Sequence, residues 1–95
     1  MSTSPTDEQA PKVVVYWRPG CGFCSGLFRG LEAAGVPIEK VDIWEEPEGA
    51  AFVRTHARGY ETVPTVDVAG QVLVNPSARE VLRLAEAAGV AVSPN

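Results

Sequence analysis

The two cysteines of this 95-residue chain stand three positions apart, as Cys21-Gly22-Phe23-Cys24, and that spacing narrows what the chain can become. The motif follows an apolar run, Val13-Val14-Val15-Tyr16, and leads into a segment with apolar residues at helical spacing. A cysteine at a helix start meets N–H groups without partners and the positive end of the helix dipole, so its sulfur is favoured as an anion. The second sulfur, a turn further on and on a neighbouring face, is within reach of a mixed disulfide formed on the first. Two other readings are weaker. A zinc site needs two more ligands, and the chain offers one histidine, His56, and no second cysteine pair. A disulfide enclosing two residues restrains little of the unfolded chain and adds little stability. The spacing points to redox chemistry, with Cys21 as nucleophile, Cys24 as resolving thiol and no metal ligands.

Length bounds the chain to one small domain, and a hydrophobic content of 45% suffices for a single core. No stretch approaches 18 apolar residues, so no membrane span is expected. The net charge of −4, with eight Lys and Arg that form no run, argues against nucleic acid as a partner. Residues 1–10 lack the basic flank and apolar core of a signal peptide and read as a disordered tail; 11–90 form the domain, and 91–95 a short C-terminal tail. A cysteine pair in a chain read as cytoplasmic is more often catalytic than structural.

The continuous apolar run from Lys12 to Trp17 predicts a strand covered on both faces. Arg18-Pro19-Gly20 is a turn, and Cys24, Leu27, Phe28, Leu31 and Ala34 give a helix from Gly22 that Gly35 ends. Val36 to Ile43 reads as a second strand. Pro47 opens a second helix, with Phe52 and Val53 facing inward and Gly59 stopping it near Arg58. Thr65 to Ala69 and Gln71 to Val74 flank Ala69-Gly70 as a hairpin. Ser77-Ala78-Arg79-Glu80 is a capping box that starts a last helix closed by Gly89. The order β-α-β-α-β-β-α gives an α/β domain: a four-stranded mixed sheet with helices on both faces. A Cys-x-x-Cys at the first strand–helix junction of such a layout reads as thioredoxin-like.

Over about residues 12 to 89 the chain resembles a glutaredoxin, and within that family the actinobacterial mycoredoxins. The residues that carry the likeness are Val14-Val15-Tyr16, Arg18 three before Cys21, the Cys-Gly-Phe-Cys motif, Val41-Asp42-Ile43, Glu61-Thr62-Val63-Pro64-Thr65 and Asn75-Pro76-Ser77. Phe23 is similar to the Tyr or Phe of glutaredoxin motifs and unlike the Gly-Pro of thioredoxins. The resemblance implies a thioredoxin-like (glutaredoxin) fold and a cis Val63-Pro64 bond, which presents the Val63 backbone to a peptide-like substrate. It also implies a low-molecular-weight thiol as co-substrate, no bound cofactor, mixed-disulfide client proteins and a separate NADPH-dependent reductase. Glutathione-using members carry a Gly-Gly and an acidic residue after the last strand. Here Val74-Asn75-Pro76-Ser77 takes that place, which tilts the thiol towards mycothiol.

The substrate-binding candidates are Arg18, Phe23, Val63 and Pro64. Arg18 is placed to hold a substrate carboxylate or to support the thiolate, or is a solvated surface charge. Cys24 shares a helical stripe with Leu27, Phe28 and Leu31 and is expected to be less exposed than Cys21, which lies on an exposed turn. Trp17 is expected at the site rim and Trp44 packed at the start of the second helix; His56 is assigned no chemistry. Gly22, Gly26 and Gly30 form one stripe, read as tolerated drift on an exposed face or as a smooth approach for a partner. The expected function is reduction of protein mixed disulfides by a small thiol, in a monomer of the cytoplasm. The alternatives are a dithiol redoxin reduced by thioredoxin reductase and serving ribonucleotide reductase, which usually carries a Trp-Ser-Gly-Phe segment absent here, and a non-enzymatic iron–sulfur carrier. No Gly-rich dinucleotide fingerprint is present.

Overall fold

A computed structural model of the chain describes residues 12–90, so the tails expected at 1–10 and 91–95 lie outside the described residues. The elements are β1 (Val13–Trp17), α1 (Gly22–Ala33), β2 (Ile38–Asp42), α2 (Pro47–His56), β3 (Thr65–Val68), β4 (Gln71–Val74) and α3 (Ala78–Ala87). They form one sheet ordered β2-β1-β3-β4, with β1 parallel to β2 and antiparallel to β3, and β3 antiparallel to β4. This is the thioredoxin-like layout the element order predicts.

Alternation along β1 decides what covers each face. Val13 and Val15 are buried with Leu27 and Leu31 of α1, Val66 and Val68 of β3, and Val81 and Ala85 of α3, forming the larger core. Tyr16 points the other way, onto a smaller core of Ile43, Ala50, Val53 and Ala57 under α2. A strand apolar on both faces therefore sits at the centre, flanked by a parallel and an antiparallel neighbour. Ala69 and Gly70 both adopt positive φ, 50° and 97°, as a two-residue hairpin between β3 and β4 requires. Ser77 and Glu80 form both halves of the capping box.

The second strand is shorter than its apolar residues suggest. Val36 and Ile43 are buried but flank the ladder: Val36 N–H closes the end of α1 on Leu31 O, and Ile43 N–H reaches Trp17 O. The second helix ends at His56 because Arg58 and Gly59 both turn to positive φ. No helix among the described residues is long and apolar enough to cross a membrane.

Candidate redox site

The register fixes where the site must be. Trp17 pairs with Asp42, Tyr16 with Thr65, and Thr65 with Val74. The end of β1, the end of β2, the start of β3 and the end of β4 therefore lie side by side at one end of the sheet. The segment Arg18-Pro19-Gly20 leaves β1 there, with Gly20 at φ 80°, and delivers Cys21 to the start of α1.

Cys21 is the N-cap of α1. Its backbone is extended and its Sγ accepts the N–H of Cys24 at 3.2 Å, so the sulfur itself satisfies one of the helix's free donors. Both cysteines are free. Cys21 is 8% exposed and Cys24 1%, so the order of exposure is as expected, but Cys21 is far less open than a residue on an exposed turn. Burial pushes the Cys24 thiol up from 9.0 to about 12; a hydrogen bond with Cys21 adds to this, and the backbone and charge of Arg18 oppose it.

The Cys21 thiol faces the Val63 carbonyl oxygen at 3.9 Å. The Val63-Pro64 bond is cis, as the resemblance implies. The loop is fastened from both sides: Thr65 Oγ1 donates to Thr62 O at 2.8 Å, and Asn75 N–H donates to Pro64 O at 2.8 Å. Among the described backbone hydrogen bonds outside helices and strands, none uses Val63 N–H or C=O. Phe23, in the first turn of α1, is 78% exposed.

Trp44 is not where the sequence puts it. Trp44 does not pack at the start of α2: it is 64% exposed, with its backbone N–H donating to Asp42 Oδ1, and the Arg18 guanidinium lies 5.7 Å from its ring centre. The parallel pairing brings the residues following β1 and β2 together, a signal that was available once the two strands were paired. Trp17 packs edge-on against Phe28 at 5.7 Å. His56 lies tilted against Phe52, with ring centres 4.5 Å apart.

The glycine stripe divides in two. A Cβ on Gly30 would stand 2.8 Å from Ala78 Cβ, so this glycine is a close contact between α1 and α3 and not drift. Gly22 and Gly26 have open space around them. They line a shallow groove of about 280 Å³ beside the motif, with Phe23, Asn75, Pro76 and Ser77.

A thioredoxin-type sheet with a Cys-x-x-Cys pair at the first strand–helix junction defines a thiol redox protein. The family profile of glutaredoxin matches residues 13–74, and the chain belongs to the glutaredoxin family. Among solved structures, the NrdH-redoxin of Escherichia coli, described as a glutaredoxin-like protein with a thioredoxin-like activity profile, is 25% identical with a TM-score of 0.66, over 77% of this chain and 93% of that one. The holo form of glutaredoxin C1 from Populus tremula x tremuloides is 26% identical with a TM-score of 0.62, covering 84% and 87%. Buckwheat glutaredoxin in complex with glutathione, 22% identical with a TM-score of 0.65 over 84% and 81%, shares the fold. No curated protein sequence matches the chain.

Proposed function

We propose that this protein is a thiol–disulfide oxidoreductase that clears mixed disulfides between protein cysteines and a low-molecular-weight thiol, with mycothiol favoured over glutathione. The asymmetry of the cysteine pair carries this reading: one sulfur caps the helix and receives an N–H, while the other, more deeply buried, keeps its proton.

In that reaction the Cys21 thiolate attacks the small-thiol sulfur of a protein–S–S–R disulfide. The protein thiolate leaves and takes a proton, and Cys21 is left joined to R. A second R–SH, as thiolate, then attacks that R sulfur, releasing R–S–S–R and the Cys21 thiolate. In the dithiol branch Cys24 attacks Cys21 instead, expelling R–SH and closing the Cys21–Cys24 disulfide. Part of what holds the Cys24 proton is its hydrogen bond with Cys21, and that contribution is altered once Cys21 is covalently occupied.

The Val63 backbone, beside Cys21 and outside the sheet ladder, supplies a donor and acceptor for the peptide portion of the thiol, with Pro64 shaping the turn. Arg18 takes a substrate carboxylate or supports the thiolate, and Phe23 flanks the apolar portion. The preference for mycothiol rests on Asn75-Pro76-Ser77: Ser77 N–H and Glu80 N–H at the start of α3 are already taken by the Glu80 carboxylate and the Ser77 hydroxyl. A carboxylate arriving there meets a carboxylate and fewer free donors. The protein would work as a cytoplasmic monomer, recharged through a separate NADPH-dependent reductase. A second reading, a dithiol redoxin reduced by thioredoxin reductase, is favoured by the likeness to the Escherichia coli NrdH-redoxin.

Turnover of one mixed-disulfide substrate with mycothiol, glutathione and thioredoxin reductase in parallel separates these readings. Cys24→Ser is expected to retain activity with mycothiol and Cys21→Ser to abolish it. Equal or better rates with glutathione remove the mycothiol preference; activity with thioredoxin reductase alone, lost in Cys24→Ser, establishes the dithiol redoxin.

A further inference from the structure

Four large apolar side chains are exposed among the described residues: Phe23, Trp44, Tyr60 and Val74. Their positions are not scattered. Phe23 is two residues after Cys21, and Val74 is paired with Thr65 next to Pro64. Tyr60 is three residues before Val63, and Trp44 follows β2 and stacks with Arg18. Phe23, Trp44 and Val74 belong to segments that meet at the end of the sheet where Cys21 emerges, and Tyr60 lies on the segment that leads from α2 to Val63. Exposed aromatic groups gathered around one point are the usual mark of a contact surface for another macromolecule.

The charge beside Trp44 says what kind of partner fits. Glu45, Glu46 and Glu48 follow it directly, are all exposed, and with Pro47 line an open groove of about 390 Å³. The ion pairs among the described residues are Lys12–Glu39, Lys40–Glu32 and Arg54–Glu61, and none involves these three carboxylates. Glu46 is the N-cap of α2 but makes no side-chain cap hydrogen bond. The adjoining cation, Arg18, is turned onto the Trp44 ring and the Pro19 carbonyl. Three carboxylates are thus left without a cation on the rim of an aromatic surface.

We propose that this end of the molecule docks protein substrates whose target cysteine is flanked by lysine or arginine, with the aromatic groups supplying contact and the Glu45–Glu48 rim selecting the positive charge. The idea rests on the oxidoreductase reading for its purpose, but the docking itself is separable from the chemistry. An acidic segment would face like charge at the rim, so discrimination works by repulsion as well as attraction.

The test uses two short synthetic peptides of equal apolar content around a central residue, one with lysines and one with glutamates as flanks. With serine at the centre, fluorescence anisotropy reads docking alone. The lysine peptide is expected to bind at least about tenfold more tightly at low ionic strength, a margin that added salt collapses. The combined variant Glu45→Gln, Glu46→Gln, Glu48→Gln is expected to lose that margin, and Trp44→Ser to weaken both peptides. Equal affinities, or a margin that survives salt and the triple variant, overturn the proposal. In a second arm the centre is cysteine disulfide-bonded to 2-mercaptoethanol. Cys21 attack on the 2-mercaptoethanol sulfur joins that small thiol to Cys21 and releases the peptide as thiolate. Selective binding without this exchange leaves docking standing and refutes the oxidoreductase reading; exchange at equal rates for both peptides refutes selective docking.

Discussion

Cys24 lies one helical turn beyond Cys21 yet meets a different medium. It is enclosed with Leu27 and Leu31 on the buried side of α1, and its thiol is pushed up to about 12, chiefly by burial. At neutral pH that group is a protonated thiol in the folded chain. The unfolded chain releases the same proton near 9.0, so above that value the unfolded state binds fewer protons and stability falls. The contribution is intact below about 9.0 and is lost as pH rises towards about 12. Urea midpoints of the reduced protein should therefore decline over this alkaline window, and decline less in Cys24→Ala. An unchanged slope in the variant would mean that another group governs alkaline unfolding. The pair and the deeper burial of Cys24 are legible in the motif and its helical stripe; the depth of Cys21 is not, because the Val63-Pro64 loop beside it is far away in sequence.

Among the elements, α1 provides the sharpest contrast. Gly26 and Gly30 occupy the same stripe of the same helix, and sequence alone treats them alike. Replacing an interior helical glycine with alanine is worth up to about 1 kcal/mol where nothing obstructs the new methyl group. Gly26→Ala meets open space and should raise stability by about that amount. Gly30→Ala places its Cβ 2.8 Å from Ala78 Cβ, so α1 and α3 must move apart and the variant should lose stability. Thermal unfolding of the two variants checks the opposite signs; a matched gain in both would show that the helices slide freely. The element order and the Ser77–Glu80 cap follow from local signals such as periodicity, Gly at helix ends and a serine three before a glutamate. Close approach between elements, as at Gly30, and the Arg18–Trp44 stack depend on pairing that no local pattern contains. The boundaries of β2 differ for the same reason: Val36 and Ile43 are apolar because they are buried, not because they join the ladder.

For the molecule as a whole, the sheet divides the interior unequally. The core under α1 and α3 gathers Val13, Val15, Leu31, Val66, Val68 and Val81, all essentially closed to solvent, whereas the α2 side relies on Ile43, Ala50, Val53 and Ala57. Leu31→Ala should cost about 2–5 kcal/mol, a large part of the stability of a small domain. Val53→Ala removes less volume from the smaller core and should cost less. Denaturant titration ranks them, and the reverse order would show that the α2 side holds the fold. Cys21 has one further consequence at this scale. In the proposed chemistry the sulfur that exchanges electrons is also the acceptor that starts α1, so reduction and oxidation act on the helix as well as on the bond. Whatever difference in cap strength separates the two states of that sulfur must be expressed, by thermodynamic linkage, in the protein's preference for holding or giving up electrons.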